Sequence, residues 1–293
     1  MKKHFLRLAS ISVAGLWAQG LTNGQSASPA TASFEVASVK ECKATDPSPP
    51  SSSSPGRLSL GCWQLKLLIQ QAYDVFASGK VNPANPTMAL TAIEGDPAWV
   101  RSARYSIDAK ADGPQSAAMM RGPMMQALLE ERFRLKIHRE TREVPVYVMT
   151  VAKGGPKLQP TQESSCKPLD FGEALNMKPN GEQWCAVPKM SRRGTITVFD
   201  IHGVTLDAFA KLLHPDGRPV IDRTGLTGAY DIHLELEESP PNPSAPGGGA
   251  ASDPSPHAAD IAATREQLGL RLDPGKGPSE FLVIDHIEKP SEN

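Results

Sequence analysis

A run of basic residues that alternate with apolar ones is the segment of this chain best suited to bind a ligand. The run spans residues 132–142, and Phe133, Leu135 and Ile137 separate its first members. Alternate residues of a β-strand point to the same side, so the spacing predicts one cationic face that binds phosphate, carboxylate or an anionic wall polymer. The predicted binding residues are Arg132, Arg134, Lys136, His138, Arg139 and Arg142.

The same run also fits a simpler interpretation, which is a solvated strand face. Acidic residues are interspersed with the basic ones, at Glu130, Glu131, Glu140 and Glu143. Opposite charges that pair across neighbouring strands are common in sheets and imply no ligand. The sequence leaves both interpretations open and favours the second.

The histidines of the chain do not form a catalytic or metal-binding pattern. Asp285 and His286 are adjacent in a predicted strand, where neighbours point to opposite faces, so they are not expected to act as a pair. His202, His214 and His233 lack the short spacing of metal ligands. The chain also has no G-x-S-x-G motif and no phosphate-binding G-K-[ST] loop. We therefore predict no catalytic residues, no metal and no cofactor; whether the protein is an enzyme stays open, and the sequence favours one that is not.

The cysteines predict disulfide bonds. The chain has four, at Cys42, Cys62, Cys166 and Cys185, without any C-x-x-C pair of the kind that binds zinc. Pairing 42 with 62 and 166 with 185 closes two short loops, each worth about 3 kcal/mol by the loop-entropy estimate. A metal site is the alternative.

The N-terminus predicts export from the cytoplasm. Lys2, Lys3 and Arg7 precede a short apolar run, and Ala18-Gln19-Gly20 has the small-x-small form of a cleavage site. We predict a signal peptide at 1–20 and a polar tether at 21–32, with an uncleaved N-terminal anchor as the alternative. No later stretch is apolar enough to span a membrane. The net charge of −1 gives no reason to expect a nucleic acid partner.

Two passages of the chain follow the same order of elements. A helical apolar stretch, an aromatic–acidic strand, a second helix and a closing β-hairpin occur first in residues 65–149 and again in residues 206–284. This repetition predicts an α+β fold of two related βαββαβ-type modules, each a small sheet with two helices, together with disulfide-bearing loops. The predicted boundaries are 33–156 for module 1, 157–193 for a linker with a disulfide, and 194–293 for module 2, with a disordered insertion at 238–257.

Each module is predicted to end in its own hairpin. In module 1 the turn is placed at Thr141-Arg142-Glu143, between two alternating segments. In module 2 the hairpin is formed by residues 269–272 and 280–288, on either side of a segment rich in proline and glycine.

Several long motifs carry a resemblance to a known family. They are the opening Phe34-Glu35-Val36-Ala37-Ser38-Val39-Lys40, the passages at 138–157 and 218–231, and the tail at 283–293. Together they resemble an exported domain-of-unknown-function family of soil bacteria. The resemblance implies export and no assigned activity.

A second resemblance concerns the halves. The segment Val204-Thr205-Leu206 with Phe209, and the later Gln267-Leu268-Gly269-Leu270, are similar to the short N-terminal domain of secretins and TonB-dependent receptors. That likeness implies a module that binds partners and assembles.

The sequence therefore predicts an exported, non-catalytic binding or assembly module of the periplasm or cell surface. An envelope protein or an anionic wall polymer is the expected kind of partner. One alternative is a hydrolase-type enzyme with a non-standard site between the modules, which would gather His233 or His286 with Asp and Arg side chains from both. The other alternative is a sensory input domain for a membrane partner.

Overall fold

A computed structural model describes residues 32–47, 50–81, 89–162, 165–168, 183–237 and 256–290. The predicted signal peptide lies outside these ranges, as does nearly all of the predicted tether and residues 238–255 of the predicted insertion. Among the described helices, none is both long and apolar enough to cross a membrane.

The fold is a mixed α+β structure in which strands predominate. The strands are β1 (Phe34–Glu41), β2 (Ser52–Ser54), β3 (Arg57–Gln64), β4 (Ala92–Glu94), β5 (Arg104–Ala111), β6 (Lys136–Val151), β7 (Gln159–Pro160), β8 (Lys189–Arg193), β9 (Ile196–Val204), β10 (Val220–Asp222), β11 (Tyr230–Glu237) and β12 (Leu270–His286). The helices are α1 (Leu65–Gln70), which continues as a π turn (Gln71–Val75), α2 (Ala98–Ser102), α3 (Ala117–Arg121), α4 (Pro123–Phe133), α5 (Leu206–Ala210) and α6 (Pro256–Leu268).

These strands form three four-stranded sheets. The N-terminal sheet has the order β1-β5-β3-β2, and the C-terminal sheet has the order β7-β11-β9-β8. The shared sheet, β10-β6-β12-β4, takes strands from both parts of the chain. Both edge strands of the C-terminal sheet, β7 and β8, come from the segment 157–193 that was predicted to be a linker.

The two predicted hairpins are wrong, because β6 and β12 are each a single long strand. They pair antiparallel with each other, from Leu270 opposite Val151 to His286 opposite Lys136. We call this two-stranded ladder of β6 and β12 the ribbon. What looked like two local hairpins is one long-range pairing between the two parts of the chain.

Local geometry explains why neither strand turns back on itself. Thr141-Arg142-Glu143 contains no residue with the positive φ that a tight hairpin turn requires. In β12, Gly275 and Gly277 also avoid positive φ, although Pro274 and Pro278 flank them. The prolines and glycines of this segment, which are typical turn residues, therefore lie within a continuous strand.

The prolines of the ribbon fit the ladder because they lie at positions whose backbone N–H groups point away from the partner strand. Tyr147 donates its backbone N–H outward to the carbonyl of Pro219, and bond directions alternate along an antiparallel strand. Pro145 lies two residues before Tyr147, so its missing N–H would also have pointed outward. Across the ladder, the carbonyl of Gly269 accepts from the backbone N–H of Ala152, so the backbone groups of Gly269 point inward. Pro274 and Pro278 are an odd number of residues further along, so their backbone positions point outward. None of these prolines removes a ribbon hydrogen bond.

The glycines of β12 make room for neighbouring side chains. A Cβ on Gly277 would lie 2.5 Å from Cδ1 of Ile221, and one on Gly275 would lie 2.9 Å from Cγ2 of Val148. Ile221 and Val148 therefore occupy the space that a side chain at Gly277 or Gly275 would need.

The ribbon contributes one end to each of two hydrophobic cores. Ile137, Leu282 and Ile284 pack into the first core with the N-terminal sheet and α1–α4. Met149 and Leu272 pack into the second core with the C-terminal sheet, α5 and α6. Residues directly opposite or two apart on the ladder share a face, so both cores lie on the same face of the ribbon.

Several local features follow directly from nearby residues. Thr205 caps α5, its hydroxyl oxygen accepting from the backbone N–H of Ala208 at 3.2 Å. Pro123 begins α4. Met120, Met124 and Met125 lie in the first core. Both disulfides form as predicted, Cys42 with Cys62 and Cys166 with Cys185.

Gly269, where α6 gives way to β12, provides a test of this junction. Its φ is +65°, and an added Cβ would lie 2.3 Å from the carbonyl oxygen of Gly155, a backbone atom. We expect Gly269→Ala to lower the free energy of unfolding by at least about 3 kcal/mol, because left-handed strain of about 1–2 kcal/mol adds to a forced backbone shift. Urea unfolding followed by circular dichroism measures the change.

Gly225→Ala is the matched control for this test. Gly225 has a φ of +70° and nothing within 4 Å of the added Cβ, so only the strain of about 1–2 kcal/mol should be lost. Equal losses in the two variants would contradict the close packing of the α6–β12 junction against Gly155.

Candidate functional site

The six predicted binding residues do not share one strand face. Arg132 lies in the last turn of α4, and Arg134 caps that helix in the left-handed conformation with a φ of 52°. Strand β6 begins only at Lys136. The strand predicted for residues 132–138 is therefore a helix end followed by a strand, because the helix continues through Phe133.

Within β6 the remaining four residues divide between two faces. Lys136, His138 and Arg142 are separated by even numbers of residues and share one face. Arg139 points to the opposite face, together with its ladder partner Leu282. The prediction that these residues share one cationic face is therefore wrong.

Most of these cations are paired with acidic side chains. His138 Nδ1 lies 2.9 Å from Asp285, and Arg142 bonds both Glu94 and Glu140. The hydrogen bond from Arg142 lowers the pKa of the Glu140 carboxyl.

Arg139 and Arg132 also have acidic partners. Arg139 bonds Glu280 and donates to the backbone carbonyl of Tyr73. Arg132 lies 3.3 Å from Glu131 and donates to the carbonyl of Ala37 in β1. Within the described residues, Arg134 and Lys136 have no ion pair.

The histidines are held at separate places on the surface. His233 lies 2.6 Å from Asp200, and this hydrogen bond raises the pKa of its imidazole. His286 lies 2.9 Å from Glu288, whereas the adjacent Asp285 bonds His138. Among the described residues, no cluster of His, Cys, Asp or Glu is arranged to hold a metal ion.

A cleft of about 940 Å³ lies across the middle of the ribbon. Its lining includes Pro145, Pro278 and Phe281 of the ribbon, between the two ends that enter the cores. The N-terminal part of the chain lines it with the end of the π turn and the approach to β4, at Asp74, Ala77, Ser78, Ala89, Leu90 and Thr91. The C-terminal part lines it with α5, the turn that follows and the approach to β10, at Asp207, Lys211, His214, Arg218, Pro219 and Val220.

Most of the charges in the cleft are already neutralised. Lys211 bonds Asp207 at 2.7 Å, and Arg139 bonds Glu280. The buried carboxylate of Asp74 accepts from both the backbone N–H and the hydroxyl of Thr91, at 2.9 and 2.8 Å. These bonds fix the segment before β4 against the π turn.

Two basic groups of the cleft differ from the rest. Within the described part of the chain, neither Arg218 nor His214 has a carboxylate partner. The guanidinium of Arg218 lies 5.5 Å from the ring centroid of Tyr147, which holds it over the ribbon by a cation–π contact. Both residues stand on the segment that joins α5 to β10.

Sequence reasoning missed this cleft. The lining residues are far apart in sequence, and the ribbon that brings them together was itself predicted as two hairpins. A weak signal existed in His214-Pro215-Asp216-Gly217-Arg218-Pro219, where a turn-forming sequence carries two basic residues.

Two other residues that attract attention lie away from the cleft. Trp99 packs against the first core, with the Lys289 ammonium 5.8 Å from the centroid of its ring. Arg121 is buried, and burial lowers its pKa to about 10. Its guanidinium bonds Gln71 at 2.9 Å and lies 5.3 Å from the Trp63 ring.

The two unpaired cations of the predicted basic run allow a test of its binding role. We expect Arg134→Ser with Lys136→Ser to lower the salt concentration that elutes the protein from phosphocellulose, because these side chains are free to meet phosphate. Arg142→Ser should leave elution nearly unchanged, since Glu94 and Glu140 already bond that guanidinium.

The control for that test removes the same charge elsewhere. Arg57→Ser with Lys80→Ser also deletes two exposed cations, outside the basic run. If this control lowers the elution salt as much as the first pair does, residues 132–142 are not a specific anion-binding face.

Comparison with known proteins places the chain in a family without an assigned activity. No curated protein and no solved structure matches it. Residues 66–287 match the family described as "Protein of unknown function (DUF3738)". The match covers 222 of the 293 residues, from α1 to the residue after β12. The chain therefore belongs to this family of proteins of unknown function.

Proposed function

We propose that this protein is an exported, non-catalytic binding protein whose ligand site is the cleft across the ribbon. The observation that carries the proposal is that both parts of the chain line the cleft, over the middle of the strands that join them. Ligand pockets commonly have volumes of about 300–1,000 Å³ and mostly apolar linings with a few polar groups. The cleft of about 940 Å³ has that size, and its lining has that character.

Export is supported by the cysteines and by the N-terminal sequence. All four cysteines of the chain are in disulfides, which persist in oxidising compartments such as the periplasm or the cell exterior. The first 20 residues have the charged start and short apolar run of a signal peptide. The resemblance of several sequence motifs to an exported family of soil bacteria agrees with this proposal.

We also propose that the chain arose by internal duplication. The N-terminal sheet and the C-terminal sheet have equivalent strand orders, since β1, β5, β3 and β2 correspond in chain order to β7, β11, β9 and β8. A helix follows the third strand of each set, α1 after β3 and α5 after β9.

The shared sheet supports the duplication more strongly. The three residues of β4 pair in parallel with Phe281–Val283, which are the twelfth to fourteenth residues of β12. The three residues of β10 pair in parallel with Tyr147–Met149, the twelfth to fourteenth residues of β6. The two parts of the chain thus exchange equivalent strands at equivalent positions, as related copies would.

The placement of the histidines favours binding over hydrolysis. The hydrolase alternative expected His233 or His286 in a cleft with Asp and Arg side chains from both halves, but neither residue lines the cleft. His214, which does line it, has no carboxylate partner among the described residues to orient it as a general base.

The neutral fluorescent probe N-phenyl-1-naphthylamine tests the proposed site. We expect one molecule to bind per chain, and Ser78→Trp to weaken binding at least tenfold, because the indole of an exposed cleft residue would occupy the space. Ser102→Trp is the control, since Ser102 is an exposed serine that does not line the cleft. Fluorescence titration measures both variants.

Two results would contradict the proposal. One is the absence of saturable probe binding, or equal binding by the two tryptophan variants. The other is turnover of a peptide or cell-wall substrate by the purified protein that a single substitution abolishes.

A further inference from the structure

We infer that the cleft takes a small amphipathic anion, an apolar body with one acidic group, and that Arg218 binds the acidic group. The inference rests on the proposed function and names the chemical class of its ligand. It follows from the charged groups and the apolar surface that line the cleft.

The acidic groups of the cleft are already engaged. Asp74 is held by Thr91, Asp207 by Lys211 and Glu280 by Arg139. Because each of the two cations in these bonds is cancelled by its carboxylate, neither leaves a net charge to attract a ligand. A cationic ligand would have to displace Lys211 or Arg139, or reach the buried carboxylate of Asp74.

The basic groups on the α5–β10 segment are not cancelled in this way. Arg218 lies over Tyr147, a contact that fixes the guanidinium without neutralising its charge. A guanidinium held in place loses little conformational entropy when it bonds a carboxylate or sulfonate, so its position favours an acidic partner. His214, on the same segment, adds a second donor to this end of the cleft.

Apolar side chains make up much of the remaining lining. The N-terminal part of the chain supplies Ala77, Ala89 and Leu90, and the ribbon supplies Pro145 and Phe281. An apolar group that leaves water against these residues gains about 25 cal/mol for each Å² buried. The cleft therefore combines a guanidinium that has no carboxylate partner among the described residues with apolar surface, which matches an amphipathic anion.

A matched pair of fluorescent probes tests this inference. 8-Anilino-1-naphthalenesulfonate has the ring system of N-phenyl-1-naphthylamine with a sulfonate added, so the ratio of the two affinities isolates the contribution of the acidic group. We expect the sulfonate probe to bind the wild-type protein on the order of tenfold more tightly than the neutral probe, as one charge-assisted hydrogen bond would give.

Substitutions at Arg218 test whether this side chain causes the preference for the sulfonate probe over the neutral probe. Arg218→Gln should lose the preference for the sulfonate probe while still binding the neutral probe, which also shows that the cleft remains folded. Arg218→Lys keeps the charge and should restore part of the preference. Arg57→Gln removes a cation outside the cleft and should leave the ratio unchanged.

Each outcome decides the question. Equal affinity for the two probes, or equal loss of the preference in Arg218→Gln and Arg57→Gln, would overturn the inference while the cleft remains a binding site. Failure of both probes to bind at a site that Ser78→Trp blocks would overturn the proposed function as well. A preference that depends on Arg218 alone is the supporting result.

Discussion

The antiparallel pairing of β6 with β12 is the interaction on which the rest of this structure depends. It joins residues more than a hundred positions apart in sequence, and each of its ends completes a different hydrophobic core. The short strands β4 and β10 add to this dependence, because each pairs with a strand from the other part of the chain. Neither core is complete without residues from both parts.

The cleft follows from the same pairing. The ends of the ribbon are covered by the two cores, whereas its middle lies between them and lines the cleft. If the two parts of the chain are related copies, the cleft lies where equivalent elements meet, and the differences between the copies decide its chemistry. The C-terminal part places Arg218 and His214 there, and the N-terminal part places apolar residues and the bonded pair of Asp74 and Thr91.

Sequence signals are sufficient for the features that depend on nearby residues. The helix beginning at Pro123, the cap at Thr205 and the two disulfides each depend on signals within about twenty positions, and all are present. The ribbon could not be predicted in this way, because Pro274, Gly275, Gly277 and Pro278 resemble a turn in sequence. In the structure the glycines leave space for side chains such as Ile221, and the prolines lie where their missing N–H groups would point away from the ladder. Neither role can be recognised without the partner strand. The site was missed for the same reason, since its residues meet only through that pairing.

Cutting the chain between its two parts tests the central role of the ribbon most directly. A protease recognition sequence inserted between Lys153 and Gly154, in the exposed turn after β6, allows the folded protein to be cleaved there. If the ribbon holds the parts together, the two fragments will remain a one-to-one complex in native size-exclusion chromatography and unfold in a single thermal transition. Fragments that separate under native conditions, each with its secondary structure intact, would contradict this account.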